Sequence, residues 1–182
     1  ICLFFGVLTI SSIGTFRESI KSGLQEEATE ILGGDISLTL AYRVASEKEL
    51  EEIKKISTSL TEVISFRSMV STINQGNNYY QALVQVKSVD KNYPLAGKIK
   101  INPELSIEDA LKKKGDKYGI IVEDSLLKQL NLKIGSDLIL GKSTYNIRAT
   151  LSSIPDIGSN GFSLGPKVIL NSSSLKLSLI HI

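Results

Sequence analysis

The chain has 182 residues, 42% of them apolar and 22% charged, with four prolines, the profile of a folded protein with one core or a core and a small satellite, and not of a disordered segment. Twenty-one basic residues against nineteen acidic ones leave a formal charge of +2, and the lysines are spread along the sequence, so the electrostatic footprint of a nucleic-acid binder is missing. The single cysteine, Cys2, lies in an apolar run, which excludes an internal disulfide and a thiolate metal site and leaves the redox compartment open.

The first thirteen residues, ICLFFGVLTISSI, carry no charge. As a helix they would measure about 20 Å against a hydrocarbon core of about 30 Å, too short to span alone. Three readings fit such a run: a buried core helix, the apolar part of a signal peptide, or the C-terminal part of a membrane helix that starts before Ile1. A signal peptide would be followed by a cleavage site and a reset of the pattern. Here the helical pattern continues through Ile13, Phe16, Ile20, Leu24, Ala28 and Ile31, with Arg17, Glu18, Lys21, Glu26, Glu27 and Glu30 between them, which favours a helix that leaves a membrane and runs on as an amphipathic stalk over residues 1–33. The stripe fits packing on a partner stalk or on the chain's own domain, because periodicity says only that something covers it.

Paired glycines, Gly33 and Gly34, are the expected stop of this helix and its hinge to the rest, since glycine takes the left-handed cap conformation cheaply. DISLTLAY then alternates Ile36, Leu38 and Leu40 with Ser37 and Thr39, the pattern of a half-buried strand. Ser46 followed by Glu49 is a capping box, and Leu50, Ile53, Ile56 and Leu60 stripe a helix of about fourteen residues. EVISFRSMVSTI and YYQALVQVKSVD flank the polar NQGNN as the arms of a long hairpin. These pieces predict an α+β fold, with helices on one face of a βαββ-type sheet across residues 34–94.

Tyr93 and Pro94 mark a corner: Pro94 fixes its own φ and pushes Tyr93 out of the helical region, and Gly97 allows a second bend. Tyrosine beside proline reads as a packed corner, here a rigid junction to a second subdomain over residues 95–176. That part is expected to contain the strand GKIKIN, a short helix capped at Ser106 with Asp109, and the strand YGIIVED. A helix DSLLKQLNLKIG, capped at Asp124 and closed by Gly135, follows. The short strands SDLILG, STYNIRATLSSI and PKVILN then form a small β-rich unit. The last six residues, Leu177 to Ile182, match the read-through of a transposase adaptor used in sequencing libraries; they are expected to be an artefact, and His181 therefore takes no role.

Catalytic chemistry has few players. GSDLILGKS, residues 135–143, has five residues between its glycines where a phosphate-binding loop has four, and Lys142 leads into a strand pattern instead of a helix. Neither Glu108 with Asp109 nor Asp116 with Glu123 and Asp124 has an apolar pocket to separate acid from base. Ser68, Ser71 and Ser143 have no histidine partner, and no nucleophile-elbow motif occurs. Catalytic, cofactor and metal residues are expected to be none.

The order of the pieces resembles the permease subunits of ABC transporters of the MacB and FtsX class, and within it the YbbP-like branch, over roughly Ile1 to Lys176. The likeness rests on a membrane helix running into EILGGDISL, on FRSMVST followed by ALVQVKSVDKNYPLAGKIKI, on LLKQLNLKIGSDLILGKSTYNIRATL, and on IPDIGSNGFSLGPKVIL. The resemblance implies a MacB-like periplasmic core domain between a first membrane helix and three later ones, in the bacterial cytoplasmic membrane with the bulk of this chain in the periplasm. It also implies a second permease copy or paralogue, a cytoplasmic ABC ATPase holding all nucleotide chemistry, membrane lipid as a neighbour, and a lysophospholipase-like esterase associated with the branch. ATP-driven motion would pass along the stalks to move a hydrophobic or lipid-like substrate or to drive a periplasmic partner. In that scheme Phe16, Ile20, Leu24 and Ile31 form the stalk face, Gly33 and Gly34 the joint, and Tyr93, Pro94 and Gly97 the junction between subdomains. The alternative is a membrane-anchored extracytoplasmic ligand-binding or sensor domain, which calls for a well-formed pocket where a transmitter calls for an exposed apolar patch or groove.

Overall fold

One long helix, α1 (Cys2–Leu32), opens the structure, a computed structural model that describes residues 2–41, 43, 45–72, 80–154 and 165–177. Its described side chains from Phe4 to Gly23 are exposed throughout. Gly33 follows at φ 75°, and the Gly34 N–H reaches back 2.9 Å to the Thr29 carbonyl, the bond that closes a helix on a left-handed glycine. Among the described residues no helix is long and apolar enough to cross a membrane.

The expected strand over DISLTLAY does not form. Residues 36–40 carry no regular structure, and Ile36, Leu38 and Leu40 are exposed instead of turned inward. Alternation supplies a face but no hydrogen-bonding neighbour, and no described strand lies alongside to pair with it. The next helix, α2 (Glu47–Ile56), starts on the expected capping box, with Ser46 Oγ accepting from the Glu49 N–H and the Glu49 carboxylate accepting from the Ser46 N–H. It has 10 residues and stops before Leu60, where Ser57, Thr58 and Ser59 offer the backbone competing side-chain partners.

Among the described residues eight strands follow: β1 (Val63–Thr72), β2 (Gln81–Val89), β3 (Lys100–Asn102), β4 (Lys113–Lys114), β5 (Lys117–Glu123), β6 (Asp137–Leu140), β7 (Ser143–Ser153) and β8 (Lys167–Asn171). The hairpin of β1 and β2 is antiparallel from Val63↔Val89 to Ser71↔Gln81; the NQGNN turn lies outside the described residues. All eight belong to one sheet, in the order β3-β7-β6-β1-β2-β8-β5-β4, and a further pairing of β7 with β5 closes it. Six strands, β1, β2, β8, β5, β7 and β6, therefore form a ring, with β3 and β4 added at its margins. This is a small mixed barrel, whose interior has room for side chains alone. The sheet crosses the expected division at residue 94, because β1 and β2 sit between β6 and β8.

Strand alternation sorts the core into an inside and an outside. Val84 and Val86 of β2, Ile120 and Val122 of β5, Leu138 and Leu140 of β6, Tyr145 and Ile147 of β7, and Val168 and Leu170 of β8 share one cluster, which fills the ring. Between them Val89, Ile121, Ala149, Leu151 and Ile169 face the other way into a second cluster. Two helices serve the inner cluster: α4 (Asp124–Leu130) through Leu126, Leu127 and Leu130, and α5 (Ser172–Leu177) through Leu175. The outer cluster is covered by α3 (Ile107–Leu111), with Ala110 and Leu111 buried, and by Tyr93 and Ile101. Helices thus cover both faces of an α+β fold, where one face was expected.

Two local features differ from the sequence reading. Helix α4 has Glu123 as its N-cap without a side-chain cap bond, while Asp124 sits in the first turn and pairs with Lys128 at 2.7 Å. It closes at Asn131 (φ 52°), not at Gly135, with the Leu132 N–H reaching the Leu127 carbonyl at 2.9 Å. Asparagine tolerates the left-handed turn that glycine usually supplies. Gly135 (φ 93°) lies in the following turn, its N–H bonded to the Ile147 carbonyl at 2.7 Å.

Candidate functional site: the joint between the long helix and the barrel

The end of α1 meets the corner after β2. A Cβ placed on Gly34 would stand 3.9 Å from Leu95 Cδ1, so the glycine joint and the Tyr93–Pro94 corner, separate features in the sequence, are neighbours in space. The corner is anchored from below and from the side. Tyr93 is 6% exposed within the outer cluster, and Lys87 Nζ lies 4.9 Å from the centre of its ring, a cation over an aromatic face. Asp90 ties the corner to the chain entering β1: its Oδ1 accepts from Thr61 Oγ1 at 2.5 Å and from the Asn92 N–H at 3.1 Å, and its Oδ2 from the Glu62 N–H at 3.1 Å. Asn92 Nδ2 donates to the Leu60 carbonyl at 3.0 Å.

Between this corner and α2 runs an open groove of about 850 Å³, lined among others by Leu50, Lys54, Leu60, Asp90, Pro94 and Leu95. Helix α2 is held at its start by a charged cluster. Arg43 donates two bonds of 2.8 Å to the Glu49 carboxylate, and that carboxylate also accepts from Ser46. Hydrogen bonds from Arg43, then from the Ser46 backbone and hydroxyl, together with the charge of Arg43, lower the Glu49 pKa to about 2. Ile36, Leu38, Leu40 and Ile56 are exposed on the same N-terminal part of the chain.

Of the residues singled out in the sequence, Phe16 and Ile20 are exposed at 69% and 46% on α1, away from the chain's own barrel. Leu24 and Ile31 lie in α1, with side chains outside the described residues. Gly33 and Gly34 are brought against Leu95; Gly97 takes φ 75° at the bend the sequence suggested, and Pro94 is half-buried at the groove. Leu177 ends α5, whereas residues 178–182, with His181, lie outside the described residues. Of the carboxylates considered for catalysis, Glu123 accepts from Ser125 Oγ and from the Lys167 N–H, both at 3.0 Å. Gly141 and Lys142 form the turn between β6 and β7, which pair antiparallel as a hairpin.

Sequence reasoning missed Arg148 and Gly119. The pairing of β5 with β7 skips Arg148, passing from Ile147 to Ala149, a bulge that turns β7 from the inner cluster to the outer one. The released guanidinium donates to the carbonyls of Asp109 (3.3 Å), Ala110 (3.4 Å), Lys112 (2.5 Å) and Lys117 (3.4 Å), so it satisfies the open C-terminal carbonyls of α3. Gly119 lies directly beneath, where a Cβ would overlap the Ala110 carbonyl oxygen and stand 2.8 Å from Arg148 Nη1. The only signal of this arrangement was a glycine inside the strand pattern YGIIVED, which marks a close approach of another backbone.

Over 171 residues the chain is 26% identical to YbbP, an uncharacterized ABC transporter permease of Escherichia coli K12. The chain is thus similar to an ABC transporter permease. The match takes in 94% of this chain and only 20% of that protein's length. Two solved structures overlap with the fold in part. The extracellular domain of the noncanonic ABC-type transporter YknZ from Gram-positive bacteria is 14% identical with a TM-score of 0.49, covering 74% of this chain and 66% of that one. The periplasmic region of MacB from Actinobacillus actinomycetemcomitans is 16% identical with a TM-score of 0.39, covering 71% and 70%. No family model matches the chain.

Proposed function

We propose that this chain is the extracytoplasmic part of an ABC transporter permease, and that it transmits motion from a cytoplasmic ATPase to a partner or a hydrophobic substrate outside the membrane. The observation that carries the reading is the path from α1 through its glycine turn to the corner beside the barrel. A continuous 31-residue helix, exposed along its described face, closes on Gly33 and Gly34 and abuts Leu95. Leu95 belongs to a corner that Asp90 and Tyr93 fix to the barrel. A helix keeps its backbone bonds internally and so can run unbroken from lipid into water, which makes it a usable lever. Phe16, Ile20, Leu24 and Ile31 supply a face for a second stalk, and the permease would act as a pair, each copy engaging an ATPase in the cytoplasm. Lipid handling and an esterase partner belong to the same reading and rest on the resemblance to the YbbP-like branch alone.

The test is disulfide trapping in membranes. With Cys2 replaced by serine, Phe16→Cys and Ile20→Cys in the full-length protein are expected to yield stalk-to-stalk dimers whose amount changes between nucleotide-free and ATP-trapped states. Dimers at neither position in any nucleotide state would remove the paired lever.

A further inference from the structure

Among the described residues, the N-terminal third meets the barrel with little packing to set its angle. The described side chains of α1 from Phe4 to Gly23 are exposed, and α2 buries no residue. An angle that apolar burial does not fix must come from directional bonds, because the hydrophobic effect has no preferred direction. Such bonds gather at one carboxylate. Backbone pairing of β1 with β2 ends at Val63↔Val89, and Asp90, the next residue, takes over from it. Its Oδ1 accepts from Thr61 Oγ1 at 2.5 Å and from the Asn92 N–H at 3.1 Å, while Oδ2 accepts from the Glu62 N–H at 3.1 Å. Asn92 Nδ2 adds a bond of 3.0 Å to the Leu60 carbonyl. The chain arriving from α2 at residues 60–62 is thereby pinned to the chain leaving β2 at residues 90–92. That second chain runs on to Tyr93, buried in the outer cluster, and to Leu95, which faces Gly34 at the end of α1. Two routes join the N-terminal third to the barrel, the covalent one through residues 57–62 and the contact through Leu95, and both pass Asp90.

We propose that Asp90 is a positioning residue whose carboxylate sets the angle between the barrel and the N-terminal third, and so decides in which direction a movement of α1 reaches the barrel. The chemistry of the site calls for an ionised acid. Three donors converge on two oxygens, and a carboxylate accepts on both, whereas the amide of asparagine accepts on one and would turn an N–H toward the Glu62 N–H. Bonds to a charged acceptor are also about twice as strong as neutral ones, which suits a joint without apolar cover. The assignment deepens the lever reading and rests on it for its meaning. Its experiment uses neither nucleotide nor a partner stalk, so it can fail while the stalk cross-links form, and it can succeed while they do not.

The experiment uses the full-length protein in lipid nanodiscs, with Cys2 replaced by serine and labelled copies diluted into unlabelled ones. Spin labels on Lys21→Cys and Lys142→Cys report α1 against the barrel, and labels on Lys100→Cys and Lys142→Cys report the barrel alone; all three positions are exposed. In Asp90→Ala the Lys21–Lys142 distance distribution is expected to widen about twofold or more while the Lys100–Lys142 distribution keeps its width, because the angle becomes an ensemble and the barrel does not. Asp90→Asn, of the same shape with one acceptor fewer, is expected to fall between the two, and it carries the test should Asp90→Ala not fold. A Lys21–Lys142 width that stays the same in the folded variants would overturn the proposal. Equal broadening of both pairs would overturn it too, by making Asp90 a support of the barrel and not of the angle.

Discussion

The barrel and the N-terminal third of the chain are built from equally apolar sequence and reach opposite ends. In the barrel Val84, Val86, Ile120, Val122, Leu138, Leu140, Val168 and Leu170 are all fully buried, and each strand of the ring finds neighbours on both sides. In the N-terminal third Phe16, Ile36, Leu38 and Ile56 are between 67% and 83% exposed, although the helices there are well formed. The difference lies in what each element needs. Helices α1 and α2 close their hydrogen bonds locally, one on a glycine turn and the other on a capping box, and form without tertiary cover. Residues 36–40 need a distant edge, and without one their alternation produces no strand.

The contrast is broken most severely at Gly119. Adding a Cβ there drives β5 into the Ala110 carbonyl and disturbs Arg148, so Gly119→Ala should cost more than about 3 kcal/mol, an overlap of backbone that cannot relax through a rotamer. A thermal melt reads the effect, and a melting temperature within a few degrees of the parent would mean that α3 sits farther from β5 than described. Next comes Leu130, 1% exposed where α4 meets the inner cluster. Leu130→Ala should cost about 2 to 5 kcal/mol through lost burial and the cavity left behind, measured by urea unfolding of the barrel.

How much of this could be read from the chain depended on the range of the interactions. The stop at Gly33, the capping box of Ser46 and Glu49, the hairpin of β1 and β2, and the β6–β7 turn at Gly141 rest on neighbours in sequence, and the structure has them where the pattern puts them. Closure of the ring was invisible, because the pairing of β5 with β7 joins residues such as Tyr118 and Tyr145 across an intervening helix and hairpin. The second core hid for the same reason: in YGIIVED the run Ile120, Ile121, Val122 reads as apolar on both faces, and no local signal says which side lies inside a barrel. The joint was half readable. Gly34 and Pro94 announced themselves as breaks, but their meeting through Leu95 depends on the path of the whole chain between them.

Changes in the N-terminal third should leave the barrel alone. Phe16→Ser removes an aromatic ring that is 69% exposed on α1, so the free energy of unfolding of the barrel in urea should change by less than about 0.5 kcal/mol. A larger loss would mean that α1 packs on the barrel in solution, and the lever reading would lose its free arm.

The smallest effect is expected at the start of α2, where pH is the probe. The Glu49 carboxylate has its pKa lowered from an ordinary 4.5 to about 2, chiefly by the Arg43 hydrogen bonds. A depressed pKa means that the unfolded form binds the extra proton first, so the stabilisation is fully present above pH 4.5 and is lost as pH falls toward 2. Asp137 of the barrel titrates in the same sense. Burial raises its carboxyl, but hydrogen bonds from Lys117 and Asn146 and the charge of Lys117 outweigh that and leave it lowered. The two sites differ in reach, since the Arg43 pair is exposed to solvent and screened by salt whereas Asp137 is tied into the ring. Acidification should therefore fray α2 before it melts the barrel, seen as falling amide protection factors at Leu50 and Glu51 while those of Val84 and Ile120 stay high. Glu49→Gln should abolish the pH dependence of protection in α2 and leave the acid unfolding of the barrel in place, whereas Asp137→Asn should do the reverse. If both variants shifted one common transition, the N-terminal third and the barrel would have to unfold as one unit.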